Sequence, residues 1–308
     1  MQDQDYTTTL IRTKLNRPPL PVDMVHRPRL TKWLKQRQSR PLTLVSAPAG
    51  YGKSTLISCW LESVDCLTAW ISLDERDNEL GSFLGYFLAA IESIFPNATD
   101  ETQSFLLTAS PAPIPVIANT LINELNQIQA PFILVLDDYH LIDSQPIHDL
   151  LNELLIHPPR SMHLVLGTRM DPLLPLVTLR ADSQLTEIRT QDLRSTREET
   201  QQLPQKMVEM PIDQSEIGEI DAQTEGWVTG LRLAALVMRH RIGQDSLRGK
   251  ISLRNRYVTD YLVTEILAKQ SATLANCMLK TSILERFCVD LCEAICFQEA
   301  SHTSEGSE

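Results

Sequence analysis

The sequence has no long hydrophobic run and no amino-terminal targeting signal. None of its apolar runs approaches the roughly 20 residues that span a bilayer, so we expect no membrane-embedded segment. The first ten residues, MQDQDYTTTL, lack a basic region followed by an apolar stretch, which argues against secretion. Basic residues are outnumbered, with 28 Lys and Arg against 39 Asp and Glu, whereas nucleic-acid binding needs clustered cations. We therefore expect a cytoplasmic protein whose main partner is not nucleic acid.

Nothing in the composition indicates disorder or a disulfide scaffold. The 308 residues are 43% hydrophobic and 22% charged, as in an ordinary globular chain, and the length suits two or three domains. The six cysteines are expected to stay reduced in the cytoplasm. Three of them, Cys288, Cys292 and Cys296, lie on one helical face. We interpret that face as packing rather than as a metal site, because no CxxC pair or nearby histidine completes a tetrahedral set.

The charge is unevenly distributed along the chain. Residues 11–40 hold nine Lys or Arg and one acid, whereas residues 41–308 hold 19 basic and 36 acidic residues. Two interpretations of this basic lead-in, residues 1–40, remain open. It is either an arm that covers a polyanionic ligand or a solvated segment that offsets an acidic body. A DNA-binding arm is the weaker hypothesis.

From residue 41, short apolar runs alternate with helical patterns. Buried parallel strands have this near-continuous apolar character, and alternation with helices predicts a doubly wound α/β domain over residues 41–192. The predicted strands are 42–45, 68–73, 132–136, 163–167 and 185–189, and the predicted helices between them are 53–64, 79–95, 114–129 and 145–156. An earlier short helix is expected at 30–38. After about residue 193 the patterns are helical only, at 213–224, 226–241, 253–269 and 272–284, with a capping box at Thr196 and Glu199 that begins a helix. Residues 193–245 are expected to form a helical lid, and 298–308 a disordered tail.

The strongest motif is the segment SAPAGYGKST, residues 46–55. It matches the phosphate-binding P-loop GxxxxGK[ST], except that Ala47 replaces the first glycine, and it lies between a predicted strand and a predicted helix. Such a loop turns its N–H groups toward a polyphosphate at a helix N-terminus. Lys53 would contact the β- and γ-phosphates, Ser54 would ligate Mg²⁺, and Thr55 would bind a phosphate. The predicted nucleotide-binding residues of the loop are Ala47, Pro48, Ala49, Gly50, Tyr51, Gly52, Lys53, Ser54 and Thr55.

Acidic residues end the third predicted strand and an arginine follows the fourth. Asp137 is predicted to hold Mg²⁺ and Asp138 to polarise an attacking water. The predicted catalytic residues are Asp138, Lys53 and Arg169. Arg169 would lie at the carboxyl edge of the sheet, where it can sense a γ-phosphate. We expect Trp60, Trp70 and Trp227 to pack, and Asp74, Glu75 and Asp77 to form a solvated turn.

These motifs in their order resemble a known family. APAGYGKST, FILVLDDYH, GTR and TEGW are similar to the signal-transduction ATPases with numerous domains (STAND), and more closely to the MalT-like regulators of the LuxR type. LIRTKLNRPP, VHRPRL and LKTSILERFCVDLCEAI add to the likeness, which covers about residues 10–296.

The resemblance implies a switch. In that family ADP holds an inactive monomer, an inducer acts through a downstream sensor, ATP replaces ADP, the protein self-associates, and slow hydrolysis resets it. The resemblance also places the region of Arg27 near the adenine and makes residues 246–297 the partial winged-helix-like region that follows the lid. Val228 stands where the broader group has a proline, which puts a phosphate-sensing role there in doubt. No sensor or DNA-reading helix is recognisable, so we expect no direct DNA binding by this chain, which would be a shortened paralogue or a disrupted reading frame.

Two functions of different classes follow. The first is an ATP/ADP-binding regulatory switch with Mg²⁺ and weak ATPase activity. The second is a non-hydrolysing module that binds ADP as a structural ligand and pairs with a full-length relative. An ordinary P-loop enzyme such as a kinase ranks third, because no lid arginine set or acceptor pocket is recognisable.

Overall fold

A five-stranded parallel sheet forms the centre of the amino-terminal part of the molecule. The computed structural model describes residues 10–106, 112–208, 214–242, 259–260, 263–264, 267–284, 286 and 288–297. The strands are β1 (Leu42–Ser46), β2 (Leu67–Ser72), β3 (Phe132–Asp137), β4 (Met162–Thr168) and β5 (Leu185–Arg189). They lie in the order β2-β3-β4-β1-β5. Every pair of neighbours is parallel, so all five carboxyl ends meet at one edge of the sheet.

Helices cover both faces of this sheet. They are α1 (Pro28–Lys35), α2 (Lys53–Leu61), α3 (Leu80–Glu92), α4 (Asp100–Leu106), α5 (Ile114–Gln127), α6 (Gln145–Ile156), α7 (Leu176–Ala181) and α8 (Thr190–Leu193). Alternate strand residues enter separate cores, because successive side chains of a strand point to opposite faces. Leu134 packs with the α3, α5 and α6 side. Its neighbour Val135 packs with α1 and α2 around the fully buried Trp60. The predicted P-loop NTPase-like α/β sheet is confirmed.

Three helices follow the sheet in the region predicted to be a lid, and we keep that name for them. They are α9 (Arg197–Val208), α10 (Gln214–Thr224) and α11 (Val228–Ile242). The predicted capping box is present, since Thr196 and Glu199 each accept a hydrogen bond from the other's backbone N–H at 3.3 Å. The last helix begins two residues later than predicted because Gly226 has a φ of +76°, which helical residues do not adopt.

In the described part of the chain, four of the nine basic residues of the lead-in form ion pairs with acids of the body. Lys14, in a short 3₁₀ turn (Arg12–Leu15), forms ion pairs with Asp74 and Asp77. Asp77 is fully buried, so the prediction of a solvated turn is wrong for this residue. Four more ion pairs connect the segment to the body: Arg17–Glu62, Arg27–Glu199, Arg29–Glu199 and Asp23–Arg232. The described part of the segment is therefore paired with the body rather than solvated, and Arg27 and Arg29 bring it to Glu199 at the start of α9.

The chain divides into two units, Met1–Ala235 and Leu236–Glu308. In the second unit the described residues form α12 (Ala272–Thr281) and α13 (Val289–Phe297). These helices carry a disulfide between Cys277 and Cys296, whose Cα atoms lie 4.9 Å apart. The prediction that all cysteines stay reduced is therefore wrong for this pair. Cys288 is exposed, so the three cysteines spaced by four residues do not share one packed face either.

Agreement between predicted and observed elements depends on their length. The bounds of β5 and α6 match the prediction; β1 and β3 differ by one residue at one end, and β2 and β4 by one residue at each end. Four helices of nine residues or fewer were not predicted, because so short a segment shows little helical periodicity. They are α4, α7, α8 and α13. The predicted helix 253–269 falls largely outside the described residues, and the predicted tail 298–308 does so entirely. No helix among the described residues is long and apolar enough to cross a membrane.

Candidate nucleotide-binding site

The loop between β1 and α2 has the backbone conformation of a phosphate-binding turn. Gly50 and Gly52 have φ values of +81° and +77°, a region that residues with a Cβ rarely adopt. Ala47 is not among the positive-φ residues, which explains why alanine can replace the first glycine of the motif without strain. The first N–H groups of α2 have no acceptor within the helix. The loop thus presents donors and a positive helix end at the carboxyl edge of β1.

Lys53 begins α2 and folds back over this loop. Its ammonium donates hydrogen bonds to the carbonyl oxygens of Ala47 at 2.9 Å and Pro48 at 3.2 Å. Burial lowers the pKa of Lys53, and the nearby Arg169 lowers it further, while Asp138 opposes the shift. A partly buried ammonium held only by carbonyl oxygens is a strong attractor for an anion.

Asp137 ends β3 and is almost fully buried. Its Oδ1 has no hydrogen-bond partner among the described residues, and burial raises the pKa of this carboxyl to about 6, with a hydrogen bond from Ser54 opposing the rise. Gly167 of β4 leaves the room that the carboxyl occupies, since a Cβ there would lie 2.3 Å from Oδ1. Buried carboxylates that lack a partner are typical of metal ligands, and carboxylate with hydroxyl oxygen is a donor set suited to Mg²⁺.

Asp138 follows in the left-handed backbone region, with φ of 58°. Its side chain is 44% exposed and its Oδ1 lies 3.8 Å from Nδ1 of His140. The turn that carries it is anchored in the core by the buried Tyr139, whose hydroxyl hydrogen-bonds with Nδ1 of His148 on α6 at 2.7 Å. A carboxylate on a rigid turn that stays accessible to solvent is suited to orient water.

The order of the strands brings Arg169 to the same edge of the sheet as the loop and the aspartates. Because β4 lies between β1 and β3, Arg169 follows the strand that separates the loop from the aspartates. Within the described part of the chain its Nε is buried without a hydrogen-bond partner, and its charge acts on Lys53. Sequence reasoning therefore named residues that the structure brings together at one edge: the loop with Lys53, the pair Asp137 and Asp138, and Arg169.

A cavity of about 90 Å³ adjoins the loop. Its walls are formed by the lead-in, by α2 and by the lid, and they include Pro21, Met24, Val25, Arg27, Gly52, Thr55, Leu56, Ser195, Glu199 and Val228. Arg27 is 8% exposed and its pKa is lowered by burial. Its Nε lies 3.5 Å from Glu199 and its Nη2 donates to Ser195 at 3.1 Å. Its Nη1 is buried and has no partner in the described ranges, so a donor remains for a ligand in this cavity.

Two lid residues that sequence reasoning did not assign to the site contact the loop directly. The Trp227 indole donates a hydrogen bond to the carbonyl oxygen of Ala49 at 3.1 Å. The hydroxyl and the backbone N–H of Thr229 each donate a hydrogen bond to the carbonyl oxygen of Gly50 at 3.0 Å. Trp227 was expected only to pack. The signals in the sequence were its position after Gly226 at the start of a helix and its place in the TEGW motif of the family resemblance.

The fold and this site define a P-loop NTPase. A family model described as the MalT winged helix domain matches residues 263–304. The HTH-type transcriptional regulator MalT of Klebsiella pneumoniae (strain 342) is 36% identical over 277 residues, which are 89% of this chain and 31% of that protein. The protein of the same name from Yersinia pestis (strain Pestoides F) is 34% identical over the same shares. The chain therefore spans about a third of the length of these relatives.

A solved structure agrees in fold. A STAND protein with a tetratricopeptide repeat sensor from Pyrococcus horikoshii superposes with a TM-score of 0.53 at 16% identity, over 88% of this chain and 36% of that one. The chain is therefore MalT-like in sequence over 277 residues, and it has a P-loop NTPase fold that it shares with this STAND protein.

Proposed function

We propose that this chain is a nucleotide-dependent regulatory switch that binds ADP or ATP with Mg²⁺ and hydrolyses ATP slowly. The observation that carries the proposal is the convergence of Lys53, Asp137 and Arg169 at the carboxyl ends of adjacent parallel strands, beside a glycine turn and a helix N-terminus. Two buried polar atoms at this edge lack partners among the described residues, as expected of groups that a ligand completes.

Each residue has a role that follows from its surroundings. Lys53 would exchange two loop carbonyls for phosphate oxygens, a charge-assisted contact. Ser54 and Asp137 would hold Mg²⁺, and Asp138 would orient a water. The nucleoside triphosphate would supply the phosphoryl group, and Mg²⁺ would neutralise the negative charge of the phosphates. The cavity beside Gly52, into which Arg27 offers an unused donor, would take the base and ribose.

The lid gives the nucleotide a means to act. The same cavity is walled by the α/β sheet domain on one side and by Ser195, Glu199 and Val228 on the other. A γ-phosphate contact at Lys53 and Arg169 that is present with ATP and missing with ADP would bias the lid arrangement. A bias of a few kcal/mol is sufficient for such a switch.

The names of the relatives support a place in transcription regulation. We propose that this portion serves a cytoplasmic regulator of that kind, through self-association or pairing with a full-length relative, and that this chain makes no direct DNA contact itself. These partners are proposals, since the chain spans only part of those proteins.

Calorimetric titration with ADP and with ATP and Mg²⁺ tests the proposal. Lys53→Ala should weaken binding by at least about tenfold, because a hydrogen bond to a charged group contributes roughly 1.5–3 kcal/mol. Lys35→Ala is the matched control, since Lys35 is an exposed lysine whose ammonium donates a hydrogen bond to the Ser63 carbonyl. Equal affinities in wild type and Lys53→Ala would refute nucleotide binding at this loop.

Single-turnover phosphate release separates the two candidate functions. Asp138→Asn should bind ATP as the wild type does but lose turnover, because the amide cannot accept a proton from water. Release of no phosphate by wild-type protein with ATP bound would exclude the ATPase and leave the non-hydrolysing module. Transfer of the phosphoryl group to an added acceptor would instead indicate a kinase.

A further inference from the structure

The lid contacts the P-loop by donating hydrogen bonds to carbonyl oxygens of the loop. In each peptide group these oxygens lie opposite the N–H that is predicted to face the phosphates. Trp227 donates to the oxygen of Ala49, and Thr229 donates twice to the oxygen of Gly50. These contacts join residues about 180 positions apart in the chain, and they belong to one unit of the structure.

Each of these carbonyls shares a peptide plane with an N–H of the predicted phosphate-binding loop. The oxygen of Ala49 is paired in this way with the N–H of Gly50, and the oxygen of Gly50 with the N–H of Tyr51. The peptide bonds are trans, so within each plane the N–H points opposite to its C=O. A donor that fixes the carbonyl on one side therefore fixes the direction of the N–H on the other.

Two glycines make room for these contacts. A Cβ at Gly50 would lie 2.5 Å from Nε1 of Trp227 and 2.7 Å from Oγ1 of Thr229. A Cβ at Gly230 would lie 2.5 Å from Cε3 of Trp227, so this glycine makes room for the indole ring. The positive φ of Gly50 alone explains a glycine there, but only the close approach explains Gly230.

We infer that Trp227 and Thr229 are positioning residues, which orient the phosphate-binding N–H groups of the P-loop so that lid contact and nucleotide binding strengthen each other. The inference rests on the proposed function and specifies its regulation. Thermodynamic linkage makes the effect reciprocal: a lid held on the loop raises nucleotide affinity, and a bound nucleotide holds the lid by the same factor.

The test uses the full chain and ADP titrated by calorimetry. Thr229→Val removes the hydroxyl and keeps the shape and the backbone N–H, so affinity should fall about two- to tenfold, the range for one neutral hydrogen bond. Thr229→Ser should restore it. Thr200→Val is the matched control, because the buried Thr200 hydroxyl hydrogen-bonds to Asp221 at 3.1 Å within the lid and does not contact the loop.

A second measurement is independent of ligand. In nucleotide-free protein labelled with ¹⁵N-tyrosine, Thr229→Val should shift the Tyr51 amide resonance, and Thr200→Val should leave it unchanged. Should Thr229→Val fail to fold, Trp227→Phe with ¹⁵N-glycine labelling makes the same test at the Gly50 amide, because Phe lacks the indole donor.

Three results would overturn the inference: wild-type affinity in Thr229→Val, an equal loss of affinity in Thr200→Val, or an unchanged Tyr51 amide. If wild-type protein bound neither ADP nor ATP, the proposed function would fail. An amide shift confined to Thr229→Val would then still support the positioning contact.

Discussion

Asp137→Asn should stabilise the ligand-free protein at neutral and alkaline pH. Burial raises the pKa of this carboxyl from an ordinary value of 3.8 to about 6, so the folded state holds its proton more tightly than the unfolded state does. Stability should therefore fall as pH rises from about 4 to about 6 and stay lower above that range. A shift of about two units corresponds to about 3 kcal/mol, and the amide, which does not ionise, avoids this cost.

Urea unfolding at pH 5 and pH 8, followed by tryptophan fluorescence, measures the effect. The free energy of unfolding of Asp137→Asn should exceed that of wild type by a margin that grows with pH. The exposed Asp182→Asn should show no such growth. With ADP and Mg²⁺ present the order should reverse, because the charged carboxylate is a much stronger ligand for Mg²⁺ than the neutral amide oxygen. If the difference in free energy of unfolding between variant and wild type were the same at both pH values, Asp137 would not be a buried carboxyl with a raised pKa.

Two further predictions follow from backbone and thiol geometry. Gly50→Ala should weaken nucleotide binding in calorimetry, because the new Cβ would clash with Trp227. It would also place a residue with a side chain in the left-handed backbone region, which costs roughly 1–2 kcal/mol. Gly218→Ala is the control and should bind normally, because its Cβ meets nothing within 4 Å in α10. Alkylation under denaturing, non-reducing conditions and mass spectrometry should modify four of the six cysteines and leave Cys277 and Cys296 linked; six modified cysteines would contradict the disulfide.

The sheet was predictable because its strands are short apolar runs covered on both faces. β3 has an apolar side chain at every position before Asp137, and the helices between strands are long enough to show periodicity. The buried state of Asp77 could not be predicted in this way. Asp77 accepts a local hydrogen bond from the Asp74 N–H, but its ion-pair partner Lys14 lies 63 residues away, and a run of acids after a strand has the same composition whether it is solvated or paired.

The site was predictable to the extent that its chemistry is local in sequence. The turn that contains Gly50 and the acids after β3 each form a continuous motif, and the parallel sheet brings them together. The approach of Gly167 to Asp137 depends instead on strand neighbours, and the contacts of Trp227 depend on the lid. Tryptophan has both a large apolar ring and one N–H donor, so the sequence alone does not show whether the side chain packs or donates to a carbonyl oxygen.

The lead-in contributes to the site because of where its charges are neutralised. Arg27 and Arg29 both pair with Glu199, the residue that caps α9, so the start of the lid is tied to the segment that walls the cavity. Arg27 still has a buried donor that no described residue accepts. A ligand that accepts this hydrogen bond would relieve the cost of a buried, unsatisfied group, and it would do so only while Glu199 holds the guanidinium in place. Nucleotide affinity should therefore depend on the position of the lid in two ways: through Arg27, which would contact the base and ribose, and through the loop, which would contact the phosphates.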